Sequence, residues 1–346
     1  MANKTRPMAY VTEPGRIELR EVPLPEPGAR DVHLSVRAAT ICGSDLHLFK
    51  GQHPAVGLPT PVGHELAGEV VAVGAEVREV KLGDRVAVEP VIACGECVYC
   101  RQGQYHLCVD ISFQYRRGQG SFTTDFIAPE RWVHRLPDQA SYAEGALLEP
   151  LAVALHAQAK SGLGLGERSL IFGAGAIGLL LLQAVRLAGS GETWVVDVND
   201  YRLQMASHFG ATRVLNNLSA NVLQEVFEHT SGLGMDCCFE AIGLQTTLVQ
   251  ALQALKKGGQ AVLVGLFEQP TIAIPANIFV QREISLTGSQ GYCWDFQTGV
   301  ELLASGQVDL RGLITHEYAL EQIQSAFDTL MDRDNRAMKV VVNIDA

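Results

Sequence analysis

The amino-acid sequence predicts an α/β protein in two parts, a β-rich domain followed by a doubly wound parallel sheet of the Rossmann kind. Three observations lead there. The chain has 346 residues, more than one ordinary hydrophobic core organises. Its texture changes near Pro150, from short alternating apolar runs to an alternation of strands and helices. Finally, Gly173-Ala174-Gly175-Ala176-Ile177-Gly178 lies where the first strand of that second half turns into its first helix.

Taken in order, residues 1–150 are rich in Val, Gly and Pro. Val32–Val36 and Gly68–Val73 read as strands, and Leu82–Val88 as a turn leading into one. The second domain is expected over residues 151–288. Ser169–Phe172 is a short buried strand, Ala176–Leu187 an apolar helix, Thr193–Asp197 the next strand and Arg202–Phe209 the next helix. Strands follow at Asp236–Glu240 and Gln260–Gly265. Residues 289–346 hold helical patterns at Phe296–Leu303 and Leu320–Met331 and a last strand at Lys339–Ile344. The pattern alone does not say which domain this segment joins.

Composition narrows the function classes. With 47% hydrophobic and 19% charged residues, the chain is a packed globular protein without a disordered tail. A net charge of −11 argues against nucleic-acid or anionic-membrane partners, which require a basic face. Met1–Tyr10 lack the apolar core of a secretory signal, and the greasiest stretch, Ile177–Ala188, is short and broken by Gln183 and Arg186. Eight cysteines in such a chain are expected to be reduced thiols of a cytoplasmic protein.

The glycine loop predicts a dinucleotide site. Gly173 permits the tight turn, Gly175 lets a pyrophosphate approach the backbone, and Gly178 permits close helix–strand packing. The N–H groups of Ala176, Ile177 and Gly178 open the helix toward the anion. Asp197, at the end of the next strand, would accept from the adenosine ribose hydroxyls and repel a 2′-phosphate, which favours NAD over NADP. Arg202, five residues on, is the residue that would greet a phosphate instead.

Cys94, Cys97, Cys100 and Cys108 form C-x2-C-x2-C-x7-C. Four thiolates close a tetrahedral zinc site and leave no corner for substrate, so the predicted role is structural. An iron–sulfur cluster takes similar ligands and is the alternative. A second, mixed set is dispersed: Cys42 in Cys42-Gly43-Ser44-Asp45-Leu46-His47, His64 and Glu65 after Gly63, and Glu149 before Pro150. One thiolate, one imidazole and two carboxylates are the donor chemistry of a catalytic zinc with an open position.

These motifs together resemble the zinc-dependent medium-chain dehydrogenases, the superfamily of alcohol, sorbitol and threonine dehydrogenases. The resemblance spans the chain: T-I-C-G-S-D-L-H, P-V-G-H-E-L-A-G, the four-cysteine lobe, L-L-E-P-L-A-V-A-L-H, G-A-G-A-I-G with Asp197, and G-L-I-T-H near the end. It implies a GroES-like β domain, a Rossmann domain, a C-terminal segment returning to the first domain, and a homo-oligomer, a tetramer or else a dimer. It also implies two zinc ions per chain and NAD. Cys42 and His64 match the catalytic zinc ligands, and Glu65 and Glu149 the carboxylates that bind directly or through water. Ser44 matches the hydroxyl that touches the substrate oxygen, and His47 the outer end of a proton relay through the cofactor ribose.

For the substrate, L-L-E-P-L-A-V-A-L-H resembles the polyol and ketose-reductase branch. Ala152-Val153 stand where threonine dehydrogenases usually carry Gly-Asn. Gly291 stands where sorbitol dehydrogenases carry an arginine, and G-S-x-G-Y…D-F is closer to butanediol dehydrogenase-like proteins. The expected substrate is a secondary alcohol in a polyol, sugar or vicinal diol, with threonine as the alternative and a non-catalytic dinucleotide-binding protein as a remote one. Phe49, Phe122, Tyr292 and Trp294 are pocket candidates whose plainer reading is core. Cys237, Cys238 and Cys293 fit no ligand pattern and read as small apolar residues.

Overall fold

The computed structural model describes residues 4–52, 56–269, 271–332 and 336–344. Packing divides the chain into two units, Met1–Glu149 with Phe296–Ala346, and Pro150–Asp295.

The first unit is built on antiparallel sheets. Its largest follows the order Val133–Arg135, Arg85–Val88, Glu65–Val73, Asp31–Thr40, Lys339–Asn343, Ile314–Ala319, with Asp125–Pro129 also paired to Asp31–Thr40. The C-terminal strand K-V-V-V-N pairs antiparallel with Ala38–Thr40 and parallel with Ile314–Ala319, so the segment after residue 296 completes the first unit's sheet. Its β-branched run suits a strand buried on both faces. Val32, Leu34, Val36, Leu66, Val86, Phe126, Phe327 and Val340 lie in one buried cluster.

The second unit is a six-stranded, wholly parallel sheet: Arg213–Asn216, Glu192–Asp197, Arg168–Phe172, Met235–Glu240, Leu255–Leu263, Ser285–Gly288. The chain starts in the middle at Arg168–Phe172, winds outward to one side, then returns and winds to the other. That reversal opens a crevice at the carboxyl ends of Arg168–Phe172 and its neighbours, where such sheets take ligands. The helix Ala176–Leu187 has the bounds its apolar periodicity predicts. Periodicity set the last boundary at residue 289, whereas packing sets it after Asp295. Ser289 N–H donates to Leu263 O at 2.9 Å, Tyr292 is buried, and Asp295 holds the His156 ring at 2.9 Å, so these residues belong with the parallel sheet.

Candidate active site and dinucleotide site

The short helix Gly43–Phe49 and the turn Val62–Glu65 bring the mixed donor set together. Cys42 is the helix N-cap, with extended backbone at φ −93°, ψ 156°. Asp45 stands three residues on and is fully buried, and its carboxylate accepts from Cys42 N–H at 2.9 Å and Gly63 N–H at 3.2 Å. Its Oδ1 also lies 3.4 Å from His64 Nδ1, which is an electrostatic contact longer than a well-formed hydrogen bond. One carboxylate thus ties the thiol-bearing and imidazole-bearing segments to each other. Gly63 makes the close approach possible. Its φ is +93°, and a Cβ there would meet Ser121 Oγ at 2.2 Å and the Phe122 ring at 2.6 Å.

The result is a triplet. One donor atom each from Cys42, His64 and Glu65 lies within 4.8 Å of the other two. Glu149 is also buried, and it stands outside this triplet. Glu65 Oε2 accepts from the Thr40 hydroxyl and from Lys339 Nζ, which also donates to Ile41 O at 3.0 Å. Glu65 Oε1 is buried with no hydrogen-bond partner. Burial pushes Lys339 down, but Glu65 and Cys42 outweigh it and hold the ammonium above its ordinary value. Likewise burial opposes protonation of His64, and Asp45 and the Cys42 sulfur reverse the balance, raising its pKa well above 6.5. A pocket that holds a proton this firmly, beside an orphaned carboxylate oxygen, has the polarity of a cation site. The donor set of sulfur, nitrogen and oxygen fits zinc.

Ser44 and His47 sit one turn apart on the same helix, so both face one way, and both are half-buried. The rings of Phe113 and Tyr115 pack beside His64, at 5.8 and 6.0 Å between centroids.

The four-cysteine lobe converges as its spacing predicts. The sulfurs of Cys94, Cys97, Cys100 and Cys108 lie within 4.8 Å of one another. Backbone N–H groups point at them: Cys97 N–H to Cys94 Sγ at 3.3 Å, Cys94 N–H to Cys108 Sγ at 3.3 Å. The N–H groups of Cys100 and Val109 bring Cys97 down to about 6, while burial and its neighbours push Cys100 up to about 12. Four sulfurs this close cannot all ionise without a cation among them, and zinc fits that demand. Glu89 anchors the lobe: it is buried, accepts from Tyr105 Oη at 2.5 Å and lies 3.2 Å from His134 Nε2.

In the parallel sheet, a cavity of about 470 Å³ opens at the crevice, lined among others by Gly173, Gly175, Asp197, Arg202, Ile242 and Thr247. Gly173 has φ +108°, and a Cβ on Gly178 would lie 1.7 Å from Gly173 O, so helix and strand touch there. No atom lies within 4 Å of where a Gly175 Cβ would stand, which leaves its backbone open to an approaching ligand. Asp197 accepts from Ala174 N–H at 2.7 Å, Val198 N–H at 2.7 Å and Asn199 N–H at 2.9 Å. This braces the carboxylate against the glycine loop. Arg202 follows on the helix Asp200–His208 that Asn199 caps at 3.1 Å. The opposite wall is shaped by Glu240, fully buried, whose carboxylate accepts from Gly243 N–H at 3.0 Å and the Thr247 hydroxyl at 2.7 Å.

Three of the four pocket candidates are core, their plainer reading, and Cys237 and Cys238 are buried as small apolar residues are expected to be. Phe49 and Phe122 pack on Phe327 in the first unit's core, at 5.2 and 5.9 Å, and Tyr292 is buried in the second unit. Trp294 is 67% exposed with φ +70°. Cys237 and Cys238 are buried, and burial pushes Cys237 up to about 12, as for an apolar residue. Asp45, Lys339, Tyr115 and Glu240 were not picked out from the sequence. Asp45 had a local signal, an acid at the third position of a short helix. Lys339 had none, since its partner Glu65 is 274 residues away.

Fold and sites define a class first: a two-domain oxidoreductase that joins a thiolate–imidazole–carboxylate metal set to a dinucleotide-binding sheet. Residues 28–138 match the alcohol dehydrogenase GroES-like domain, and residues 176–305 match the zinc-binding dehydrogenase domain. The chain is 36% identical to the sorbitol dehydrogenase of Bacillus subtilis (strain 168) over 330 residues, which is 94% of each chain. Among solved structures, a zinc-binding dehydrogenase of Sinorhizobium meliloti 1021 bound to NADP superposes with a TM-score of 0.92 at 28% identity, covering 98% of this chain and 99% of that one. The 2R,3R-butanediol dehydrogenase of Bacillus subtilis superposes with a TM-score of 0.89 at 32% identity, covering 98% and 100%. The chain belongs to the zinc-binding alcohol dehydrogenase family. No helix among the described residues is long and apolar enough to cross a membrane.

Proposed function

We propose that this protein oxidises a secondary alcohol of a polyol, sugar or vicinal diol to the ketone, reversibly, with NAD as hydride acceptor. The observation that carries the reading is the Cys42–His64–Glu65 triplet with Ser44 and His47 on the helix that Cys42 caps. Bound zinc supplies Lewis acidity that lowers the pKa of an alcohol, and the nicotinamide supplies a hydride acceptor. The chain's own groups do the rest. Cys42, His64 and Glu65 would hold the catalytic zinc, with Glu149 as a carboxylate in reserve, and Asp45 fixes the imidazole. Ser44 Oγ takes the alcohol proton, and the His47 imidazole delivers it to water. Cys94, Cys97, Cys100 and Cys108 hold a second zinc that clips a glycine-rich loop.

The preference for NAD rests on Asp197, whose buried carboxylate at the cavity would repel a 2′-phosphate. Arg202 lines the same cavity and is the group that would soften that preference. The printed activities of the sorbitol and butanediol dehydrogenases support the substrate class. A homo-oligomer in the cytoplasm completes the reading, and light scattering of the purified protein would test its assembly.

The test is reduction of NAD and NADP by the purified protein on xylitol, sorbitol, inositol, both butanediol enantiomers and threonine, with metal analysis. Expected are two zinc ions per chain, turnover on a polyol or diol with NAD, and its loss on chelation. Turnover on threonine alone would overturn the substrate class. Silence on every alcohol with zinc and dinucleotide bound would overturn the enzymatic reading. Ser44→Ala should lower turnover by about a hundredfold or more with zinc content unchanged. Loss of zinc in that variant would reassign Ser44 to metal support.

A further inference from the structure

We propose that Glu240 discriminates between the two redox states of the cofactor: its buried, unpaired negative charge favours the cationic, oxidised nicotinamide over the neutral, reduced one. The inference rests on the dinucleotide reading of the cavity and deepens it.

Buried carboxylates in this chain fall into two groups. Asp45, Glu65 and Glu89 each lie against a base, respectively His64, Lys339 and His134. Asp197 and Glu240 are buried as well, and neither forms an ion pair among the described residues. These two flank the glycine loop. In the sheet register Phe172 pairs with Val196 on one side and with Glu240 on the other. Asp197 and Glu240 therefore end the strands on either side of Gly173, two strand spacings or roughly 10 Å apart. Ala241 N–H donates to Phe172 O at 2.9 Å, and a Cβ on Gly173 would meet Ile242 Cγ1 at 2.8 Å. The residues after Glu240 thus touch the glycine loop, and Ala241, Ile242 and Thr247 line the cavity.

Only donors hold the Glu240 carboxylate. Ile242 N–H, Gly243 N–H and the Thr247 hydroxyl reach Oε1 at 3.2, 3.0 and 2.7 Å, and Gly243 N–H lies 3.1 Å from Oε2. Both oxygens accept from backbone, the pattern of an ionised carboxylate. The packing is close on the far side too, where a Cβ on Gly265 would lie 2.7 Å from Oε2. An unpaired charge in such a place is unfavourable unless a ligand of opposite charge faces it.

The dinucleotide reading supplies that ligand. With the adenosine ribose on Asp197 and the pyrophosphate over Gly175, the second nucleoside runs toward the flank that Glu240 ends. There the two redox states differ by one full charge, since the hydride neutralises the ring. A fixed anion screened by protein rather than water separates them, while adenosine and pyrophosphate are common to both and cancel. Glu240 thereby sets the ratio of oxidised to reduced cofactor affinity.

The test titrates the full-length, zinc-loaded protein with NAD, NADH and ADP-ribose by calorimetry. Glu240→Gln keeps the shape and removes the charge. Kd for NAD should rise about fivefold or more relative to NADH, and ADP-ribose, which lacks the ring, should follow NADH. Thr247→Val removes a donor but keeps the charge, so the NAD-to-NADH ratio should stay near its starting value. Ile242→Glu adds an anion to the same wall at a half-exposed position and should move the ratio the opposite way, a check that holds even if Glu240→Gln does not fold. Equal weakening of all three ligands by Glu240→Gln would make Glu240 a brace for the turn and overturn the proposal. A ratio unmoved by Glu240→Gln or by Ile242→Glu would also overturn it. Failure of the wild-type protein to bind any of the three would overturn the dinucleotide reading and this inference with it.

Discussion

Replacing Gly178 by alanine tests the dinucleotide site at its tightest point. The new Cβ would lie 1.7 Å from Gly173 O and 2.8 Å from its carbon. A carbon tolerates a carbonyl oxygen at about 3.3 Å, so strand end and helix must part by roughly 1.6 Å, the difference of the two distances. The obstacle is backbone, and no rotamer can relieve it. Overpacking of this kind costs about 1–3 kcal/mol, or a few degrees to about ten in Tm for a domain of this size. The same displacement carries away the N–H groups of the helix's first turn that face the cavity. Hydrogen bonds to an anion contribute about 1.5–3 kcal/mol, so dinucleotide affinity should fall by about 10-fold to 100-fold. Gly175→Ala is the internal control. Its φ of −73° suits alanine and nothing lies within 4 Å of the new Cβ, so Tm should hold while the pyrophosphate's approach is blocked. The assay is thermal unfolding beside titration of NADH fluorescence, with zinc content as a check on the other unit. If Gly178→Ala kept wild-type Tm and affinity, or Gly175→Ala lost Tm with affinity intact, the reasoning from helix–strand contact would be refuted.

Other consequences concern the metal triplet. Asp45→Asn should weaken zinc binding there by about 10-fold to 100-fold while the four-cysteine site keeps its metal, read by competition with a chelator. Lys339→Met removes the ammonium that faces the buried Glu65 carboxylate. Breaking such a pair costs about 3–5 kcal/mol, so Tm should fall, and more in chelator-treated protein, where no metal compensates Glu65. An equal fall with and without zinc would show that Glu65 does not face the metal. Zinc must also displace the His64 proton, whose pKa lies well above 6.5 in the metal-free fold. That raised pKa stabilises the metal-free protein below 6.5 and is lost as pH rises through the folded value. Zinc affinity at the triplet should therefore keep tightening above pH 6.5, and a pH-independent affinity would contradict the His64–Asp45 geometry.

Much of this protein was legible before folding. The motifs that read clearly are local: C-x2-C-x2-C-x7-C, the glycine loop between strand and helix, and an acid at the following strand end each place their groups within a short stretch of chain. Local geometry alone brings such residues together, so spacing determines the site. Cys42, His64 and Glu65 were recognisable as donor types and by family resemblance, but their convergence depends on a Gly63 turn and a buried Asp45 joining two segments. The rest belongs to tertiary structure alone. Lys339 reaches Glu65 only because a C-terminal strand pairs with Ala38–Thr40 across some three hundred residues of chain. Phe49 and Phe122 are core rather than pocket because Phe327 packs against them. Sequence periodicity reports which face of an element is buried. It carries no information about which distant element covers that face, and that choice decided the partners of Glu65.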